Sequence, residues 1–170
     1  LCALEAALLA PGIGKLILYE PPISLAGSGW SPALDAKFEA LLEAGEREEV
    51  LLLFFRKIVK MPPHEIAAMR AGVHWPERIA EAHTIHRELR GIDRYVFTPQ
   101  RFHRLKTPVL LLLGGESPSR RRHIAEMLHR ALPSSQIRIL QGQQHGAIRT
   151  APDLFVDAVV HFLGIQASER

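Results

Sequence analysis

Three short segments, each closed by turn chemistry, constrain the fold more than any other feature of the chain. Lys15–Tyr19 stops at Glu20–Pro21–Pro22, Val109–Leu113 runs from Thr107–Pro108 to Gly114–Gly115–Glu116–Ser117–Pro118, and Gln136–Leu140 leads into the loop Gln141–His145. The first two lack polar alternation, as strands covered on both faces do. Helical patterns lie around them. Leu1–Ala10, rich in Ala and Leu, ends at Pro11–Gly12, Ser119–Leu132 ends at Pro133, and Pro152–Leu163 is amphipathic. Strands alternating with helices at this spacing predict an α/β architecture with a parallel sheet.

Between residues 23 and 99 the pattern becomes helical throughout. Ser31 and Pro32 have N-cap and N1 chemistry and start a helix near Ala33–Ala44. Gly45 separates it from a second over Arg47–Lys60, Pro62–Pro63 opens a third over His64–Ala71, and Trp75–Pro76 opens a fourth reaching Arg90. The organisation predicted is a helix and core strand over 1–22, a helical insert over 23–99 and a second α/β portion over 100–170.

The composition is globular. Of 170 residues, 47% are hydrophobic and 23% charged, which excludes disordered and collagen-like chains. The longest apolar runs, Val50–Phe55 and Val109–Leu113, fall far short of the roughly 20 residues that cross a bilayer, so no membrane partner is expected. Lys and Arg number 21 against 18 Asp and Glu. This small excess calls for no nucleic-acid partner, and Arg120–Arg121–Arg122, without interleaved aromatics, reads as a solvated helix face. The single cysteine, Cys2, allows no internal disulfide and reads as a small core residue, with a cytoplasmic location as the default.

Ligands and catalytic groups of parallel α/β sheets gather at the carboxyl ends of the strands. Glu20, Glu116–Ser117 and His145 stand at those ends. A carboxylate bonded to one imidazole nitrogen fixes the tautomer and frees the other nitrogen to accept a proton from a nucleophile. His103, His123 and His129 have no such placement and are expected to face solvent.

The stretch TPVLLLLGGESP, followed by a helix and then LPSSQIRILQGQQHGAIRTAPDLFVDAVVHFL, resembles the last third of the α/β-hydrolase fold. There a strand ending in Gly-x-x-Asp-Pro is followed by a helix, a short strand and a Gly-x-x-His loop. The opening LCALEAALLAPGIGKLILYEPP resembles the helix after the nucleophile elbow together with the next strand. Since the elbow Gly-x-Ser-x-Gly turns directly into such a helix, the resemblance implies a C-terminal fragment. The nucleophile would lie just ahead of Leu1, and the polypeptide would be inactive alone. The helical middle corresponds to the cap.

The resemblance implies that His145 is the general base. Ser117 stands where the family's aspartate is usual, and some members place the acid after the preceding core strand, which is the position of Glu20; Glu116 is the fallback acid. Gly27–Ser28–Gly29 looks like an elbow but follows no strand, so a loop is expected there. Trp30 and Trp75, each beside a turn, are the candidates for substrate contact. Phe38, Leu41, Phe54, Phe55, Met61 and Met69 are expected mainly in the core of the cap. The implied reaction is cleavage of a small hydrophobic ester or related bond, with no metal or organic cofactor. Two alternatives stand beside it: an aspartate nucleophile, giving a dehalogenase-like or epoxide-hydrolase-like enzyme, and a non-catalytic binding module of the same fold.

Overall fold

The computed structural model describes residues 1–24 and 30–165, so Gly27–Ser28–Gly29 lies outside the described residues. The chain forms two compact units, one from Leu1–Ile23 with the chain from Phe97 onward and one from Ser24–Val96.

The first unit is built on three strands, β1 (Leu16–Tyr19), β2 (Val109–Gly114) and β3 (Ser135–Leu140), all parallel and ordered β1-β2-β3. Every residue of the central β2 is buried, whereas β3 alternates exposed and covered positions until Leu140. An uninterrupted apolar run is what a strand with two neighbours and two covered faces requires. Leu110, Leu112 and Leu140 share one face with Phe155, Ala158, Val159 and Phe162 of the closing helix, Pro152–Leu163. Period-two geometry sends Val109, Leu111 and Leu113, equally buried, to the other face. The helix Cys2–Leu9 buries Leu4 and Ala7 and packs beside β1. Cys2 itself is exposed, contrary to its reading as a core residue, because it sits on the opposite side of that helix from Leu4.

Register decides where the polar groups emerge. Tyr19 pairs with Leu112 and Gly114 with Leu140, so β1, β2 and β3 end at one edge of the sheet. Glu20, the turn after Gly114 and the loop after Leu140 all leave from there.

The second unit is helical: Pro32–Glu43, Arg47–Leu53, Pro63–Arg70, Trp75–Glu81 and His83–Arg94. The Ser31 hydroxyl caps the first by accepting the Leu34 N–H at 3.2 Å. Two details depart from the sequence pattern. The helix begun at Arg47 continues as a π-helix over Phe54–Val59 rather than as regular α-helix, and it ends at Lys60 in left-handed conformation, φ +56°. Val50, Leu51, Leu52 and Leu53 of the α-helical part and Phe55 of the π-helix are all buried, so this segment is covered around its whole circumference rather than along one stripe. The predicted helix from Trp75 is broken at Ala82, where the His83 ring donates from Nδ1 to the Ala80 carbonyl at 2.9 Å and diverts it from the ladder.

Phe38, fully buried, centres the core of this unit with Val50, Leu52, Ile66 and Leu89. Beside it His86 stacks on Phe38 and donates from Nε2 to Asp35 Oδ1 at 2.8 Å, while Arg90 takes the same carboxylate at 2.9 and 2.7 Å. The fork from Arg90, then His86, holds the Asp35 carboxyl well below the usual carboxylate range. Among the described residues no helix is long and apolar enough to cross a membrane. Phe38→Ala is expected to cost about 3–5 kcal/mol, read as an earlier urea transition of the helical unit.

Candidate active site

Glu20 follows β1 directly, and its backbone takes the left-handed conformation at φ +43°. For a residue with a side chain this geometry costs about 1–2 kcal/mol, and such strain collects at functional sites. Here it turns the side chain under the ends of the other two strands, where the carboxylate is completely buried. Its oxygens are divided among partners: Oε1 accepts the Gly114 N–H at 2.9 Å, and Oε2 accepts the His145 Nδ1–H at 2.8 Å. Arg121 Nε stands 3.2 Å from that same Oε2.

His145 comes from the loop after β3. Gly142, at φ +66°, makes the reversal that a Cβ would strain. With Nδ1 donating to Glu20, the ring presents Nε2, and the side chain is 42% exposed. Its face lies on the Tyr19 ring, centroids 5.5 Å apart, and Tyr19 meets Phe155 edge-on. The Tyr19 hydroxyl donates to the Gln144 carbonyl and accepts the Ala147 N–H, holding the loop on both sides of His145. Burial, with the Glu20 charge adding to it, pushes this phenol up to about 12. It therefore remains a donor at neutral pH.

Gly114 is needed for close approach. A Cβ there would stand 2.6 Å from the Gln143 carbonyl oxygen and 2.9 Å from the Gln144 Cα, so only glycine lets the His145 loop close on β2. Ser117 Oγ is buried beside Gly114 without a regular hydrogen-bond partner, near enough to Glu20 to favour its anion. Burial acts to raise the Glu20 carboxyl. His145, Ser117, the Gly114 N–H and Arg121 together outweigh it and leave the group below its ordinary range.

The structure brings Glu20 and His145 together and leaves Glu116 exposed, its backbone N–H on the Gln143 carbonyl. His103, His123 and His129 are exposed. Trp75 is only 6% exposed and spends its indole N–H on Glu48 at 3.1 Å, so it belongs to the core of the helical unit. Trp30 is half-buried against Phe38. A cavity of about 310 Å³ in that unit is lined by Arg56, Met61, Pro63 and Ile66 and by neither tryptophan. The basic run is not uniformly solvated: Arg122 is exposed, while Arg121 turns inward to Glu20 because the helix Ser119–Ala131 starts at the end of β2. Tyr19 and Arg121 were both missed from sequence, although each adjoins an element that delivers a predicted site residue. Among the described residues no group of three or more His, Cys, Asp or Glu is arranged to hold a metal ion.

Solved structures share this architecture. An α/β hydrolase from Sphaerobacter thermophilus is 30% identical with a TM-score of 0.76, the match covering 94% of this chain and 62% of that one. A hydrolase from Pseudomonas aeruginosa is 20% identical with a TM-score of 0.68, over 95% and 60% of the two chains. MenH from S. aureus is also 20% identical, with a TM-score of 0.64, over 95% and 63%. No protein-family model matches the chain, and no curated protein does. The chain therefore has the α/β-hydrolase fold, as a partial fold with a helical insert, and spans about three fifths of the length of these structures.

Two outcomes follow from this geometry. Gly114→Ala is expected to displace the loop at Gln143 and Gln144, lowering the melting temperature and abolishing the slowly exchanging His145 Nδ1–H signal in proton NMR. A carboxyl lowered by folding adds stability above its unfolded value, near 4.5, that is lost as pH falls through the folded one. Urea titrations below that pH should therefore show a steeper loss for the native chain than for Glu20→Gln.

Proposed function

We propose that the chain supplies the base and acid of a serine hydrolase acting on a small, hydrophobic ester or a related bond. The observation that carries this reading is the 2.8 Å bond from His145 Nδ1 to the buried Glu20 carboxylate, with the imidazole otherwise half exposed at the strand ends. Glu20 fixes the tautomer and balances the imidazolium formed during turnover. The α/β-hydrolase fold puts the nucleophile on an elbow that leads into the helix beside β1, so the reaction is assigned to a chain carrying that elbow ahead of Leu1. The 170 residues alone are expected to be inactive.

In the acylation step the serine Oγ gives its proton to His145 Nε2 and bonds to the ester carbonyl carbon. Collapse of the tetrahedral intermediate breaks the bond to the alcohol oxygen, which takes the proton back from His145. Water then repeats the sequence on the acyl-enzyme: its proton passes to His145, the acid departs and the serine is reprotonated.

The test uses the elbow-bearing chain with short p-nitrophenyl esters and a fluorophosphonate probe. Covalent labelling and turnover are expected, with His145→Ala and Glu20→Gln each lowering kcat by about 10³–10⁴-fold and Ser117→Ala changing it little. A severe loss from Ser117→Ala with none from Glu20→Gln would overturn the acid assignment. An aspartate at the elbow with turnover of haloalkanes or epoxides would replace the serine reading. Neither Ser nor Asp at the elbow, with no labelling, would make the protein a binding module.

A further inference from the structure

The placement of Arg121 is unfavourable on two counts unless Glu20 is its purpose. The helix Ser119–Ala131 begins with Arg120, Arg121 and Arg122 in a first turn that contains no acid, where the helix dipole repels cations. The Arg121 side chain is also largely buried, 21% exposed, which penalises its charge. Its ion-pair partner is Glu20 Oε2 at 3.2 Å, whereas Arg122 on the same turn stays in solvent and Arg120 reaches the Ile23 carbonyl.

Glu20 has the complementary difficulty. Its carboxylate is fully buried, and position 117, where the superfamily's acid is usual, carries a neutral hydroxyl. The groups facing it are His145 from the loop after β3, Gly114 N–H and Ser117 from the end of β2, Arg121 from the following helix, and Tyr19 on its own strand. Arg121 is the permanent cation among them. Around it stand Glu20, Tyr19 and Arg120.

We propose that Arg121 is a positioning residue of this site, balancing the buried Glu20 charge and aiming Oε2 at His145 through its 3.2 Å contact. With Gly114 N–H holding Oε1 and both Arg121 and His145 on Oε2, the carboxylate is fixed in one plane. Neutral imidazole, anionic Glu20 and cationic Arg121 sum to zero charge. Without the guanidinium the buried carboxylate keeps only the neutral donors around it, so its charge is uncompensated and it takes up a proton more readily, which weakens it as the acceptor of the His145 Nδ1–H bond. The catalytic meaning of this arrangement rests on the hydrolase reading above, but the electrostatic arrangement is measurable without turnover.

The experiment follows the Glu20 carboxyl ¹³C shift against pH in the 170-residue chain. Arg121→Met is expected to raise its midpoint by about one pH unit or more, Arg121→Lys to restore most of the difference, and Arg122→Met to leave it in place. An unmoved midpoint in Arg121→Met overturns the proposal, because a merely structural guanidinium would lower stability without touching that titration. If Arg121→Met fails to fold, the Arg121 Nε–H signal of the native chain decides: it must titrate with Glu20, and a signal that stays put overturns the proposal. In the elbow-bearing chain the acid limb of kcat should rise by the same interval with KM unchanged. Failure of any chain to turn over substrate, beside an intact Glu20 shift, removes the hydrolase reading and leaves the positioning of Glu20 standing.

Discussion

The burial of one carboxylate organises the first unit of this protein. Glu20 has no access to water, so each of its oxygens must find donors inside the fold, and those donors follow the ends of two other strands, β2 and β3. The Gly114 N–H is available only because β2 pairs with β1 in the observed register, and His145 only because β3 ends one strand further on. A one-residue slip of β1 would send Glu20 to the opposite face and strand the charge. The polar site and the apolar sheet therefore specify the same register, which is the agreement between levels that marks a well-determined fold.

The loop bearing His145 is held by packing as much as by polarity. Tyr19 places its ring under the imidazole and its hydroxyl against the backbone on either side of it, while Phe155 of the closing helix supports the ring edge. The imidazole is thus fixed on the hydrophobic core that Leu110, Leu112 and Leu140 build. The helical unit uses a related device, a buried His86 bonded to a carboxylate that Arg90 also grips. There the imidazole packs in one cluster with Phe38 and Trp30, and the arrangement joins two helices.

Much of this was legible in the residues. The apolar run 109–113 and the proline and glycine punctuation around it marked the central strand; strand-end position placed Glu20, Glu116–Ser117 and His145 together, and only the resemblance to α/β-hydrolases ranked them. What stayed hidden has specific causes. Residue propensity encodes neither the π-helix at Phe54–Val59 nor the break at Ala82, where a side chain competes for the Ala80 carbonyl. Arg121 hid inside a run of like charges, because sequence does not show which of three neighbouring arginines a helix turns inward. Trp75 stands beside a turn like a pocket residue, yet while that turn is exposed the indole itself folds back into the core.

The left-handed backbone at Glu20 has a consequence for how this site can change over many generations. Glycine or asparagine would relieve the strain there, so the backbone taken by itself favours losing glutamate at position 20. That exchange taken first leaves the Arg121 guanidinium largely enclosed without a counter-charge, a loss larger than the strain recovered. Neutralising Arg121 first abandons the carboxylate in the same way. The easier endpoint lies across a valley that only simultaneous replacement avoids, and the strained, charged arrangement is locked in by its own partners.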